Sequence, residues 1–244
     1  MKYGVLGDIH GNITALELAV SRLGALGARH FISVGDVVGY GAAPQECIEV
    51  LRGLGAHVVQ GNHDAAVAGT LELTYFNQYA KDAALWTRGR LNSQEVAWLH
   101  GLPLAIELEH CAVAHGSFHQ PERFDYILGT EDAEPSLDAL RQRVCFVGHS
   151  HVPITVLRLK ESSGRTAYSP ETYLDLAECE RALVNVGSVG QPRDEDPRTT
   201  FALFDSEAGS VEIFREEYDI EREASRIRRA GLPTMLADRL YLGI

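Results

Sequence analysis

Apolar and polar residues fall in regular blocks along the first sixty positions. YGVLGD (Tyr3 to Asp8) has the continuous apolar character of a buried strand. GNITALELAVSRLGALG then carries apolar residues at three- and four-residue steps, the period of an amphipathic helix. Asn12 or Thr14 can cap it, and Thr14 with Glu17 has capping-box spacing. HFISVGD (His30 to Asp36) is a second strand, APQECIEVLRGLG a second helix entered at Pro44, and AHVVQGNHD (Ala56 to Asp64) a third strand. This alternation predicts parallel pairing with right-handed crossovers. The helical period returns from Leu73 to Leu102, with a cap at Ser93. After Pro103 the pattern shortens, and LAIELEH, CAVAHGS, VCFVGHS, VPITVLRL, RALVNVGS, TFALFDS and SVEIFREEY read as short strands. Residues 160–180 are the least patterned and read as a long hairpin or loop. The end reads as two short helices split at Gly231-Leu232-Pro233. With no internal repeat or linker, the expectation is one α/β domain over 1–244, with helical appendages at 73–102 and 219–241.

The polar residues at the strand ends are unusual. In open α/β sheets ligands bind outside the carboxyl ends of the strands. Those ends carry Asp8 and His10, then Asp36, then Asn62, His63 and Asp64, then His115, then His149 and His151. Five of the ten histidines lie in these turns. Each is beside a glycine or one residue from it, which allows the backbone to turn sharply. Taken singly, each has a plainer use: an aspartate as a helix cap, Asn62 as a turn former, a histidine as a surface polar residue. Together, carboxylates and neutral imidazoles make a donor set for zinc, manganese, iron, nickel or cobalt. Asp8 with His10, and His149 with His151, are spaced to act as pairs. Seven such donors exceed one tetrahedral ion and suit two ions sharing a carboxylate.

Composition narrows the possibilities. The chain has 244 residues, 45% of them hydrophobic, enough for a sizeable core. Its net charge of −12 gives no overall attraction for polyanions, which argues against nucleic acid as a partner. Cys47, Cys111, Cys145 and Cys179 lack zinc-site spacing, and Cys111 and Cys145 read as core thiols. No leader-like segment and no apolar run near the ~18 residues of a membrane span is present, so a cytoplasmic location away from membranes is expected.

The order Asp-x-His, Gly-Asp, Gly-Asn-His-Asp, His, Gly-His-x-His resembles the calcineurin-like metallophosphoesterase superfamily. The resemblance runs from Tyr3 to about Phe214. NVGSVGQPRDEDPR (Asn185 to Arg198) and the AHGS turn are similar to a bacterial subgroup of small phosphodiesterases likened to diadenosine tetraphosphatases and phosphoprotein phosphatases. The resemblance implies a four-layer α/β/β/α sandwich of two mixed sheets with helices outside. It implies one divalent ion (manganese, zinc, iron or nickel) on Asp8, His10 and His151. A second would sit on Asn62, His115 and His149, with Asp36 bridging the two. It implies hydrolysis of a small phosphorylated or nucleotide-like substrate by a metal-bridging hydroxide. His63 would be the general acid and Asp64 would orient it. Asn12 and Arg193 are candidates for substrate binding. Larger protein-phosphatase members carry an arginine shortly after the Gly-Asp turn; here GDVVGYG has Gly39 and Tyr40, which weakens the alternative of a phosphoprotein phosphatase. A non-catalytic scaffold on the same fold would be expected to have lost ligands, and none is missing.

Overall fold

The structure is a computed structural model that describes residues 1–160 and 165–244. Among the described residues, twelve strands form two six-stranded sheets. The first runs β3 (His57–Val58), β2 (His30–Ser33), β1 (Lys2–Leu6), β11 (Thr199–Asp205), β12 (Ser210–Glu216), β9 (Tyr173–Asp175). The second runs β4 (Ala105–Glu107), β5 (Ala112–Ala114), β6 (Val144–Val147), β10 (Cys179–Asn185), β7 (Ile154–Leu159), β8 (Thr166–Ser169). Both are mixed. β1, β2 and β3 pair in parallel, as the early alternation predicts, and β11 joins β1 antiparallel.

Side-chain alternation explains the layers. Val144 and Phe146 point between the sheets, where they meet Val5, Ile32, Val184 and Phe204. Cys145 and Val147 point the other way, onto Leu137 of helix α6 (Thr130–Ala139). On the outer face of the first sheet, Leu6 and Phe31 pack with Leu16 and Leu23 of α1 (Ile13–Ala25) and with Ile48 and Leu51 of α2 (Pro44–Gly53). The order is therefore helix, sheet, sheet, helix. All four cysteines are buried and free.

Several local expectations change. Asn12, not Thr14, caps α1: its Oδ1 accepts from Ala15 N at 3.0 Å, while Thr14 Oγ1 donates to Glu223 at 2.9 Å. Asn92, not Ser93, caps α5 (Ser93–His100), with Glu95 closing a capping box. The third strand is only two residues long. Asn62 to Asp64 instead open a helix, α3 (Asn62–Ala68), which the apolar pattern hid because AAVA is short and small. Helix α6 has no counterpart in the predicted elements; it carries Pro135 inside TEDAEPSLDA, a residue that normally disfavours a helix interior. Of the 160–180 stretch, residues 166–169 form β8, which pairs antiparallel with β7, and residues 161–164 lie outside the described residues. β9 instead crosses to the edge of the first sheet, where it pairs with β12. The region 73–102 supplies α4 (Gln78–Arg88) and α5, and the C-terminal region α7 (Ile220–Arg229) and α8 (Thr234–Asp238), broken as expected at Gly231-Leu232-Pro233.

Candidate metal centre

The turns after β1, β2, β5 and β6, with the first turn of α3, converge at one end of the two sheets. They bring together all seven predicted donors. Asp8, His10, Asp36 and His151 form one cluster, and Asp36, His115 and His149 a second. Asn62 joins the second: its Oδ1 is 3.0 Å from His115 Nε2. Asp36 belongs to both. Its Oδ2 lies 3.5 Å from His10 Nε2 on one side and 3.4 Å from His115 Nε2 on the other. Within the first cluster His10 Nε2 and His151 Nε2 are 3.1 Å apart, and within the second His115 Nε2 and His149 Nδ1 are 3.0 Å apart.

The outer nitrogens decide what these distances mean. Nδ1 of His10 faces Val38 O at 3.1 Å, Nδ1 of His115 faces Val34 O at 2.9 Å, and Nδ1 of His151 faces Gln191 O at 2.6 Å. A carbonyl only accepts, so each Nδ1 carries the proton, and in a neutral ring Nε2 presents its lone pair. Nε2 of His10 and Nε2 of His151 are then two lone pairs aimed at each other beside carboxylates. That arrangement is repulsive unless a cation lies between them. The donor chemistry of the first cluster therefore fits a divalent ion, the second offers the same kinds of donor around Asp36, and the carbonyls are the partners that fix metal-binding tautomers.

The backbone is bent to make this geometry. Asp8, His10, Asp36, His149 and His151 have φ between +48° and +69°. This left-handed region is uncommon for residues other than glycine and costs of order 1–3 kcal/mol each, a cost concentrated at functional sites. The surrounding loops hold it in place. His149 N donates to Asp8 Oδ1 and Oδ2, each at 3.1 Å, and His63 N donates to Asp36 Oδ1 at 2.8 Å. From the NVGSVGQPR loop, Ser188 Oγ donates to Asp8 O at 2.8 Å and Asn185 Nδ2 to Gly148 O at 2.7 Å.

Burial dominates the electrostatics. It pushes Asp8 up to about 7, against the pull of His115. Burial also opposes ionisation of Asp36, but His115, His63 and His10 together outweigh it and hold Asp36 well below the usual carboxylate range. His115 reverses the pattern: burial lowers it, and Asp36 and then Asp8 raise it to about 9. Burial takes His149 down to about 2 and holds His10 and His151 well below 6.5.

The remaining predicted residues are placed differently. His63 is buried beside the clusters, 4.8 Å from His10 between ring centres, and its Nδ1 has no hydrogen-bond partner. Burial lowers its pKa to about 4. Asp64 does not bond to His63: its Oδ1 accepts from Val38 N and its Oδ2 from Gly61 N, both at 3.1 Å. It ties the start of α3 to the turn after β2, so any orientation it gives His63 runs through the backbone. Asn12 is likewise committed inside the protein. Besides capping α1, its Nδ2 donates to Gly190 O at 3.0 Å and Tyr218 Oη at 3.1 Å, leaving no free amide hydrogen for a substrate. Arg193 is half-buried beside the centre. Its Nη2 donates to Gln191 Oε1 at 2.9 Å, its Nε has no partner, and its guanidinium carbon lies 5.7 Å from the Tyr40 ring centre.

Gly39, where larger phosphatases carry an arginine nearby, has φ of +93°, and a Cβ there would lie 2.6 Å from His63 Nδ1. Sequence reasoning marks Tyr40 as a departure from the protein-phosphatase pattern and misses Phe76, Phe124 and Tyr126. The Tyr40 ring is 4.7 Å from His10 and 4.5 Å from His63; Phe76 is 4.9 Å from His63, Phe124 6.0 Å from His115, and Tyr126 is stacked on His149 at 3.9 Å. Only their proximity in the fold marks them, since Phe76 lies on the helical segment and Phe124 and Tyr126 in a loop without apolar periodicity.

A doubled donor cluster at the sheet ends of a four-layer sandwich defines a metallophosphoesterase. The sequence profile of the calcineurin-like phosphoesterase superfamily domain matches residues 1–209, and the chain belongs to that superfamily. It is a phosphoesterase hydrolase of that class. It is 36% identical over 245 residues, covering 98% of this chain and 97% of the relative, to the uncharacterized protein MJ0912 of Methanocaldococcus jannaschii. Among solved structures it is similar to a metallophosphoesterase from Sphaerobacter thermophilus, with 36% identity, a TM-score of 0.87, and 100% and 99% of the two chains covered. The hypothetical protein PH1004 from Pyrococcus horikoshii OT3 shares its fold at 22% identity, with a TM-score of 0.81 over 100% of this chain and 98% of that one. No helix among the described residues is long and apolar enough to cross a membrane.

Proposed function

We propose that the chain hydrolyses small phosphorylated molecules at a two-metal centre, with Asp8, His10 and His151 on one ion, Asn62, His115 and His149 on the other, and Asp36 between them. The observation that carries this reading is the sharing of Asp36 by two donor clusters whose lone pairs converge. Nitrogen and oxygen donors of this kind suit manganese, zinc, iron or nickel. Bound there, two divalent ions would draw off charge from the phosphoryl oxygens and acidify water near neutral pH.

The protein's own groups supply the rest. His63 lines the cavity next to the centre and has no side-chain partner that would hold its proton elsewhere. We assign it the proton delivered to the leaving oxygen as the phosphorus–oxygen ester bond breaks, a role worth roughly 10²–10⁴-fold in rate. In the free protein burial keeps it neutral at pH 7; an anionic phosphoryl group beside it opposes that depression. Arg193 places a positive charge at the centre that a phosphoryl oxygen can accept from. The GDVVGYG run carries Gly39 and Tyr40 and no arginine, which weighs against a phosphoprotein phosphatase.

The test is hydrolysis of p-nitrophenyl phosphate and bis(p-nitrophenyl) phosphate by chelated protein reloaded separately with manganese, zinc, nickel and magnesium. Metal-restored turnover is expected. Two bound ions with no turnover of either ester under any metal would overturn the reading.

A further inference from the structure

We propose that Arg193 and Arg239 form a subsite for a second anionic group, so that the chain prefers esters whose organic part carries a carboxylate or a further phosphate over esters whose organic part is uncharged. Arg239 is the residue that sets this preference. The inference rests on the hydrolytic reading above and adds to it the charge of the substrate beyond the phosphoryl group.

Arg239 opens the turn after α8, in the C-terminal appendage and beyond the residues that the superfamily domain covers. Packing returns this appendage to the metal centre. Ala224, Ile227, Leu236 and Leu240 share an apolar cluster with Tyr40, whose ring also meets His10 and His63. The tail is then tied to the loop that carries Arg193. Glu195 N donates to Gly243 O at 2.9 Å, and a Cβ on Gly243 would lie 2.7 Å from the backbone of Asp196. The two arginines thereby reach one ring. The guanidinium carbon of Arg193 lies 5.7 Å from the Tyr40 ring centre and that of Arg239 5.9 Å from it.

Two guanidinium groups gathered on one ring repel each other unless an anion joins them. Elsewhere the fold supplies one: Arg158 has Glu134 and Asp138, Arg198 has Asp196, and Arg215 has Asp194. Among the described residues no aspartate or glutamate pairs with Arg193 or Arg239. Asp36, a carboxylate that Tyr40 does feel, is committed between the two donor clusters. Arg193 Nη2 donates to Gln191 Oε1, and its buried Nε has no partner. The main-chain oxygen of Ile244 takes only Nε of Arg239, which leaves both of its Nη groups. Burial, and then the charge of Arg193, lowers the pKa of Arg239. Burial raises the Tyr40 hydroxyl against the pull of both guanidiniums, so it stays protonated and adds a third donor. Carboxylate and phosphate oxygens are what such donors bind, because the planar guanidinium fork matches an oxyanion with paired N–H bonds. The metal centre takes the phosphoryl group itself, so the anion at Arg239 is one borne by the rest of the ester.

The test is calorimetric binding of phosphonates, whose phosphorus–carbon bond is not an ester, to metal-loaded protein, alongside hydrolysis of bis(p-nitrophenyl) phosphate. Propylphosphonate carries no second charge, 3-phosphonopropionate adds a carboxylate, and ethylene-1,2-bisphosphonate adds a second phosphonate; longer homologues of all three extend the reach. At one length or more, an acidic ligand is expected to bind about tenfold or more tightly than its alkyl counterpart. The acid with the larger gap tells whether carboxylate or phosphate is the preferred group. Arg239→Gln should remove most of that gap while weakening the alkylphosphonate far less, and Arg193→Gln should weaken both. Arg239→Lys, which keeps the charge without the fork, should retain an intermediate gap, and it carries the test if Arg239→Gln does not fold. Equal affinities at every length would overturn the assignment even while diester hydrolysis persists. So would a gap that survives Arg239→Gln, since the acids would then be chelating the ions. Alkylphosphonate binding that is the same with and without metal would instead strike the hydrolytic reading.

Discussion

Gly61→Ala separates packing at the shared carboxylate from every other feature of the site. Gly61 has φ of −90° and ψ of 170°, which alanine adopts without strain, so the backbone is not the obstacle. The obstacle is Asp36. A Cβ on residue 61 would lie 2.1 Å from Asp36 Oδ1 and 2.3 Å from Asp36 N. Relaxing that to ordinary contact, about 3.5 Å between heavy atoms, moves the carboxylate by roughly 1 Å. The movement breaks the 2.8 Å bond from His63 N to Asp36 Oδ1, about 1 kcal/mol, and adds about 1–3 kcal/mol of overpacking. Destabilisation of roughly 2–4 kcal/mol should lower Tm by roughly 5–15 °C. Because Asp36 belongs to both clusters, metal should be lost from both, and a ~1 Å displacement of a site group alone reduces turnover by about 10²-fold. Metal content by mass spectrometry, bis(p-nitrophenyl) phosphate turnover and Tm read the three effects. Gly24→Ala is the control: a Cβ there meets nothing within 4 Å, and replacing a helical glycine should stabilise by about 0.5–1 kcal/mol. A G61A protein with two ions and wild-type turnover would refute the placement of Asp36.

Other changes should divide the site along the same lines. His63→Ala is expected to keep both ions and lose roughly 10²–10⁴-fold in kcat; loss of metal in that variant would contradict its place outside the clusters. His151→Ala should empty the first site more than the second, and His149→Ala the reverse, as equilibrium metal titration would show; identical losses would argue against two clusters. Glu223 gives a pH signature of stability. It is fully buried, bonded to Thr14, and raised above 4.5 by burial against the pull of Thr14 and Arg226. A raised carboxyl binds more protons in the folded than in the unfolded chain, so stability falls as pH rises above 4.5 towards the folded value. Denaturant unfolding across that range should show the slope in wild type and a shallower one in Glu223→Gln; identical slopes would remove Glu223 as its source.

Much of this arrangement is legible in the sequence because the donors sit where the strand pattern ends. Asp8, Asp36, His115 and His149 each follow a run of buried apolar residues, so strand assignment alone places them at one sheet edge. The parallel pairs β1–β2 and β5–β6 then make it the same edge for each sheet. What stayed hidden depends on three-dimensional competition for hydrogen bonds. Asn12 reads as a rim residue until its amide is seen shared between Ala15, Gly190 and Tyr218. Asp64 reads as the partner of His63 until two backbone amides are seen to occupy its oxygens. The rings of Tyr40, Phe76, Phe124 and Tyr126 have no periodic signal because they come from three unrelated segments. α6 has no counterpart in the predicted elements and carries Pro135 within its ten residues, a residue that normally disfavours a helix interior.

The most direct test is a crystal structure of the manganese- or zinc-loaded protein with anomalous data at the metal edge. Two peaks about 3.5–4 Å apart are predicted, one on either side of Asp36, with Asp8, His10 and His151 around the first and Asn62, His115 and His149 around the second. A single peak, or two that do not share Asp36, would contradict the two-metal centre.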